Sequence, residues 1–137
     1  MATTIEANKD AVRGFVEAFN EGRLDRLADD YTEYDLAYPG GKRTLEDFEE
    51  KMDRLSDVLP DLTLTIEEMI AEGEMVAVDL TASATHEGEF YGVAGTGEGL
   101  EWALTMFMHV EDGKIAEVRV LRDLLGIMKQ LGLVSEE

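Results

Sequence analysis

The spacing of the apolar residues changes at Pro60, and this change constrains the fold more than any other feature of the chain. Before Pro60, apolar side chains recur every three or four residues, as they do on one face of an amphipathic helix. We expect a first helix to begin near Thr3 or Thr4 and to end at Gly22. We expect a further helix to begin at Thr44 and to stop at Pro60.

The segment between these helices has poor periodicity. We expect a short turn of helix from Leu24 to Ala28, followed by an irregular or extended stretch from Tyr31 to Tyr38. Pro39-Gly40-Gly41 ends this stretch, because proline and consecutive glycines favour turns.

After Pro60, apolar and polar residues alternate, which predicts strands with one buried face. The expected order is a strand over residues 62–67, a turn at 72–74, a strand over 76–85, a glycine-rich loop over 88–99, a strand over 100–110, a tight Asp112-Gly113 turn, a strand over 115–123 and a closing helix over 124–131. Helices followed by an antiparallel meander predict an α+β fold, in which a curved sheet wraps against the helices.

The size and composition narrow the class of protein. A chain of 137 residues is expected to form one domain, spanning residues 1–137. It has no cysteine and only two histidines, so we expect neither a metal site nor another cofactor. No apolar run approaches the roughly 20 residues of a membrane span. Residues 1–6 lack the pattern of a secretory signal, so we expect a cytoplasmic protein.

The net charge of −19 comes from 31 acidic and 12 basic side chains. Such a charge opposes binding to nucleic acid, where lysine and arginine must displace counterions from the phosphates. The acidic residues are spread along the whole chain, so they do not form one interaction tail. Two interpretations follow, an ordinary acidic surface or a halophilic protein kept hydrated in concentrated salt, and we favour the second.

The second half of the chain carries a motif order that resembles a known family. His86-Glu87-Gly88-Glu89-Phe90-Tyr91-Gly92-Val93-Ala94-Gly95-Thr96-Gly97 precedes a hydrophobic strand, the turn Glu111-Asp112-Gly113-Lys114, and a closing segment from Asp123 to Gly132. This order and spacing resembles the SnoaL-like polyketide cyclases of the nuclear transport factor 2-like superfamily. The resemblance implies a cone-shaped, cystatin-like α+β barrel with a cavity between sheet and helices, and commonly a homodimer packed through the sheet.

The resemblance also implies where catalytic residues would lie. In these cyclases a strand aspartate acts as general acid and base, and a histidine on the preceding strand assists it in aldol ring closure. Counted from the Asp112-Gly113-Lys114 turn, the aspartate position holds Val120 and the histidine position holds Met106. Neither side chain can transfer a proton.

The alternation of residues assigns the faces of the last two strands without reference to the family. The positions predicted to face inward are apolar: Leu104, Met106, Met108, Val110, Val118 and Val120. His109 then lies on the opposite face, and a one-residue shift would be needed to bring it inward. Because the inward strand positions are valine, leucine, alanine and methionine, no carboxylate is expected among them.

Several aromatic or polar residues are candidates for a ligand site. Tyr38, Phe90 and Trp102 can stack on a flat ligand, although they can equally form plain core. Arg122 lies on the same face of the predicted strand as Val118 and Val120, so it either reaches the cavity rim or is exposed at the strand end. The predicted ligand-binding set is Tyr38, His86, Phe90, Trp102, Met106, Met108, Val118, Val120 and Arg122.

Two residues in this half have alternative roles. His86 matches a histidine found at that point in many members of the family. It either donates to a ligand at the cavity mouth or hydrogen-bonds the loop backbone, and we favour the second role. Asp123 is expected to cap the closing helix rather than to act in catalysis.

Three functional interpretations follow. The first is a SnoaL-like protein that binds a small apolar or aromatic molecule and lacks the standard acid and base pair. The second is an enzyme of cyclase, isomerase or hydrolase type that uses Tyr38, His86, Arg122 or an acid of residues 31–38. The third is a dimeric scaffold with a filled core. We favour the first, with a homodimer as its assembly.

Overall fold

The computed structural model describes residues 2–37 and 40–135, with side chains from Thr4 onwards. Its elements, in chain order, are α1 (Ala2–Asn20), β1 (Leu27–Asp35), β2 (Lys42–Thr44), α2 (Leu45–Val58), β3 (Thr63–Glu72), β4 (Met75–Thr85), β5 (Gly99–Glu111), β6 (Lys114–Arg122) and α3 (Leu124–Gln130).

Within the described residues, the strands form one six-stranded sheet in the order β2-β1-β6-β5-β4-β3. Neighbouring strands are antiparallel except β1 and β6, which are parallel. Strands β2 and β3 are the two edges, so the sheet is open. Helix α1 packs against β3 to β6, and α2 packs against β1 and β2. The expected α+β fold is confirmed.

The helical turn expected at Leu24 to Ala28 is wrong, because Leu27 begins strand β1. Leu27 is buried in the core and pairs with Ile115 of β6, whose N–H donates to the Arg26 carbonyl over 2.9 Å. The partner strand β6 lies far along the chain, so the spacing of residues around Leu27 does not reveal the pairing. Pairing with the sheet overrides the local preference of this segment.

Helix α2 begins and ends where the sequence predicts. Thr44 is its N-cap, and the Asp47 N–H donates to the Thr44 hydroxyl over 3.2 Å. The Asp47 carboxylate accepts in return from the Thr44 N–H over 3.0 Å, which completes a capping box. The helix ends at Val58, just before Pro60, and buries Phe48 against Tyr31 of β1.

The register of β5 and β6 confirms the inward apolar face. Met106 pairs with Val120 and Met108 pairs with Val118, and all four side chains are buried. His109 pairs with Glu117, and both lie on the opposite face of the sheet. The strands are joined through Asp112 and Gly113 with φ of 50° and 77°. Two successive positive φ angles are typical of the tight hairpin turn expected there.

The closing helix is held to the sheet by polar contacts. Asp123 caps α3 as expected, since its carboxylate accepts from the Gly126 N–H over 2.8 Å. The Gln130 amide donates to the Glu101 carbonyl over 2.7 Å and accepts from the Glu101 N–H over 3.0 Å. Across the described ranges, no helix has the length and apolar character required to span a bilayer.

Candidate functional site

A cavity lies between the two long helices and the inner face of the sheet. Its volume is about 80 Å³. Most of its wall is apolar. Helices α1 and α2 contribute Phe15, Phe19, Phe48, Met52 and Leu55, and the sheet contributes Leu64, Ala82, Trp102, Leu104, Met106 and Val118.

Polar side chains also line this cavity: Tyr31 and Glu33 from β1, Lys51 from α2 and Arg122 from β6. Tyr31, Glu33 and Asp35 alternate along β1 with the half-buried Thr32 and Tyr34, so all three are buried on the inner face. Glu33 and Asp35 retain only 2% and 3% of their exposure. The expectation that inward strand positions carry no carboxylate is therefore wrong, because β1 belongs to the sheet.

Both buried carboxylates have an arginine partner. The Arg122 Nη1 lies 2.6 Å from the Asp35 Oδ2, and the Arg43 Nη1 lies 3.2 Å from the Glu33 Oε2. Arg43 also approaches the Asp35 Oδ2 at 3.8 Å. Strand pairing sets this arrangement, since Arg43 of β2 lies opposite Glu33 of β1. Buried charges need such pairing to offset the loss of hydration.

Lys51 differs from the two arginines. Among the described residues, no hydrogen-bond acceptor or carboxylate lies within bonding distance of its ammonium group. Burial lowers the pKa of Lys51 to about 8, and the positive charge of Arg122 contributes to the same shift. Nearby Glu33 opposes the shift without cancelling it.

Tyr31 remains a neutral hydrogen-bonding group in this environment. Burial raises the pKa of its phenol well above the ordinary value, and the negative charge of Glu33 raises it further. The ring packs on Phe48 with centroids 5.6 Å apart. Tyr31 therefore lines the cavity as a neutral phenol, not as a phenolate.

The structure brings together four of the predicted ligand-binding residues. Trp102, Met106, Val118 and Arg122 line the cavity. Met108 and Val120 are buried on the same face of the sheet but do not border the cavity. Tyr38 lies outside the described residues.

Phe90 lies in the glycine-rich loop and His86 lies just before it, and neither borders the cavity. The His86 Nε2 is 3.1 Å from the Val93 carbonyl, and its Nδ1 is 3.4 Å from the Thr96 hydroxyl. The Phe90 ring lies 6.4 Å from that of Trp102, centroid to centroid. The contact of His86 with the Val93 carbonyl agrees with a hydrogen bond to the loop backbone, the role favoured for it. Phe90 contacts Trp102, a residue of the cavity lining, without itself bordering the cavity.

Sequence reasoning missed Tyr31, Glu33 and Lys51 as named cavity residues, although an acid from residues 31–38 was among the alternatives. The alternation of Tyr31, Glu33 and Asp35 is a signal that could have indicated one buried face of a strand. Lys51 follows Phe48 by three residues, a spacing that places both near the inner face of a helix.

The arrangement can hold an apolar ring beside a charged group. It could also transfer a proton through the Lys51 amine or the Tyr31 hydroxyl. No cluster of three or more histidine, aspartate or glutamate side chains suited to a metal ion occurs in the described part of the chain.

A six-stranded mixed sheet, covered by helices over a side-chain-lined cavity, defines an α+β protein of the nuclear transport factor 2-like class. The chain belongs to the SnoaL-like polyketide cyclase family, because the profile of that family matches residues 9–131.

Solved structures agree with this assignment. The candidate hydroxylase AclR from Streptomyces galilaeus is 26% identical with a TM-score of 0.86, over 96% of this chain and 89% of AclR. The candidate polyketide cyclase IdmH from Streptomyces antibioticus is 29% identical with a TM-score of 0.80, over 91% of this chain and 98% of IdmH. TsrD from Streptomyces laurentii is 27% identical with a TM-score of 0.79, over 94% of this chain and 97% of TsrD. No curated protein matches the chain.

Proposed function

We propose that this protein binds a small apolar or aromatic molecule in the cavity and lacks the acid and base pair used by cyclases of its family. The observation that carries the proposal is the cavity itself, walled by Trp102, Met106 and Val118 with polar groups confined to a few positions. At the two positions that the resemblance assigns to proton transfer, the chain has Met106 and Val120, and both are buried. Neither side chain can serve as an acid or base.

The size of the cavity restricts the ligand. A cavity of about 80 Å³ is small beside the roughly 300 to 1,000 Å³ of pockets that hold drug-sized molecules, so we expect it to hold nothing larger than a single ring. A polycyclic polyketide exceeds this space unless α1 and α2 separate, so we expect no aldol ring closure on such substrates.

Binding can be tested by calorimetric titration of the full chain with single-ring aromatic compounds. Met106→Trp places a larger side chain in the cavity and is expected to abolish binding. Phe107→Trp is the matched control, since Phe107 neighbours Met106 but is 43% exposed on the other face of the sheet. Equal binding by both variants would contradict the proposal. Thermal melts of both confirm that they remain folded.

A second candidate function is an enzyme of isomerase, cyclase or hydrolase type whose proton-transfer groups are not the standard pair. The observation in its favour is Lys51, whose lowered pKa of about 8 makes its amine available as a base near neutral pH. Tyr31 and Glu33 line the same cavity. Turnover of any single-ring ligand identified by calorimetry, lost in Lys51→Met, would favour this function over binding alone.

The proposal includes a homodimer packed through the outer face of the sheet. Phe107 of β5 and Leu121 of β6 leave 43% and 51% of their surfaces exposed on that face. Thr81, Ser83 and His109 share its parity and give it a mixed polar and apolar character. Such a mixture is typical of surfaces that pack by two-fold symmetry.

A further inference from the structure

We propose that Lys51 binds the carboxylate of an aromatic acid whose ring occupies the cavity. The inference rests on the proposed function, because it names the class of ligand for the same site.

The charge around the cavity is opposite in sign to that of the whole chain. Among the described residues that line the cavity, the charged ones are one carboxylate, Glu33, and two cations, Lys51 and Arg122. The cavity lining therefore carries a surplus of one positive charge, in a chain with a net charge of −19 and only 12 basic residues. A surplus cation in so acidic a protein favours an anionic partner at this site.

Lys51 carries this surplus. Arg43 and Arg122 each lie within an ion-pair distance of a buried carboxylate, whereas the Lys51 ammonium has no such partner among the described residues. Its carboxylate neighbours are already engaged by arginine, and Arg122 repels it. A half-buried ammonium without an acceptor is destabilising. A bound carboxylate would supply the missing acceptor and the missing negative charge.

The donors nearby suit two carboxylate oxygens. Lys51 provides three N–H groups, and Arg122 is held in the cavity wall through the hydrogen bond from its Nη1 to Asp35. Charge-assisted hydrogen bonds from such groups are about twice as strong as those between neutral groups. A cationic ligand would be repelled, and a neutral ligand would leave the surplus charge in place.

The rest of the cavity fits an aromatic ring. Phe48 and Trp102 line the apolar wall, and the volume of about 80 Å³ admits one ring. Benzoate has these two parts, a single ring and a carboxylate. Benzamide has nearly the same shape without the charge, so the pair separates the contribution of the anion from that of the ring.

The experiment is calorimetric titration of the full chain with benzoate and with benzamide, in about 0.5 M KCl to screen the acidic surface. We expect benzoate to bind about tenfold more tightly than benzamide. Lys51→Met should abolish this preference, and Lys51→Arg should retain it. Lys114→Met is the matched control, because Lys114 is exposed at the turn between β5 and β6.

Equal affinity of the wild-type chain for benzoate and benzamide would overturn the inference and leave the proposed function standing. An undiminished preference in Lys51→Met would also overturn it. Failure of both compounds, and of other neutral single-ring compounds, to bind would overturn the proposed function together with the inference. Methionine is a good helix former of similar length, so Lys51→Met should remain folded.

Discussion

The Arg122 guanidinium lies 2.6 Å from the Asp35 carboxylate, although the two residues are 87 positions apart in the sequence. The parallel pairing of β1 with β6 brings them together, since Asp35 lies opposite Val120 and the Leu36 N–H donates to the Val120 carbonyl over 2.9 Å. Both side chains are largely withdrawn from solvent. This ion pair therefore links the first strand of the chain to the last.

Replacing Arg122 with methionine should leave the Asp35 carboxylate buried, with Arg43 at 3.8 Å as its remaining cation. Breaking a buried pair from one side is strongly destabilising, and we expect a loss of about 2 to 4 kcal/mol in the free energy of unfolding. Urea denaturation of the wild type and the variant measures this loss. The double variant Asp35→Asn, Arg122→Met should recover part of it, because no unpaired charge remains. A loss below about 1 kcal/mol in the single variant would show that solvent already screens the pair.

Replacing Lys51 with methionine should stabilise the protein at pH 7. The folded-state pKa of Lys51 is lowered to about 8, so the folded chain holds this proton less tightly than the unfolded chain does. The destabilisation of the folded state by the charged Lys51 is fully present below pH 8. It disappears as pH rises towards the unfolded pKa of about 10.4. We expect a gain on the order of 1 to 3 kcal/mol at pH 7 and almost none near pH 10.5. Urea denaturation at both pH values measures the difference, and a gain that is the same at both would contradict this cause.

Replacing Val120 with aspartate would put a carboxylate at the position that the resemblance assigns to the catalytic aspartate of the cyclases. Val120 is fully buried opposite Met106, so burial should raise the pKa of the new carboxyl and destabilise the fold by about 1 to 3 kcal/mol or more. The penalty should grow as pH rises from 4 to 8, because the charged form is the one that burial disfavours. Val120→Asn, which adds polarity without a titrating group, should show no such growth. Equal pH profiles for the two variants would argue that residue 120 is accessible to water.

Salt should stabilise the protein. Repulsion among the carboxylates behind the net charge of −19 is screened over about 10 Å at 0.1 M salt and about 3 Å at 1 M. We therefore expect the melting temperature to climb between 0.1 and 2 M KCl, as halophilic character predicts. Scanning calorimetry in KCl, with sucrose as an uncharged stabiliser for comparison, measures the effect. A flat response to KCl would count against a halophilic protein.

The homodimer should depend on the outer face of the sheet. Light scattering of the wild type is expected to give twice the chain mass of 15.2 kDa at micromolar concentration in high salt. Leu121→Asp places a charge on the half-exposed face of β6 and should yield a monomer. Leu133→Asp is the matched control, since Leu133 is equally exposed but follows α3 and is not in the sheet. A monomeric wild type would remove this part of the proposal.

Local sequence patterns predict some of the cavity-lining residues but not others. Met106, Val118 and Trp102 follow from alternation along β5 and β6, because one buried face imposes a period of two on each strand. The inward position of Arg122 also follows from alternation along β6, but its ion pair with Asp35 does not. Glu33 and Lys51 do not follow, because each is a charged residue in a segment where charge normally indicates exposure.

The sequence by itself determined the switch from helix to strand at Pro60, the cap of α2 at Thr44, the tight turn at Asp112-Gly113 and the apolar face of β5 and β6. These features depend on residues close together in the chain, where backbone preference and periodicity act directly. Only the tertiary structure decided that residues 27–35 form a strand, because its partner β6 is remote in sequence. That pairing buries Glu33 and Asp35. Buried carboxylates need a cation to offset the loss of hydration, and Arg43 and Arg122 provide it. The position of the Lys51 ammonium beside them, without an ion-pair partner in the described part of the chain, is likewise a product of packing, since the electrostatics of a buried site depend on distances that no local pattern encodes.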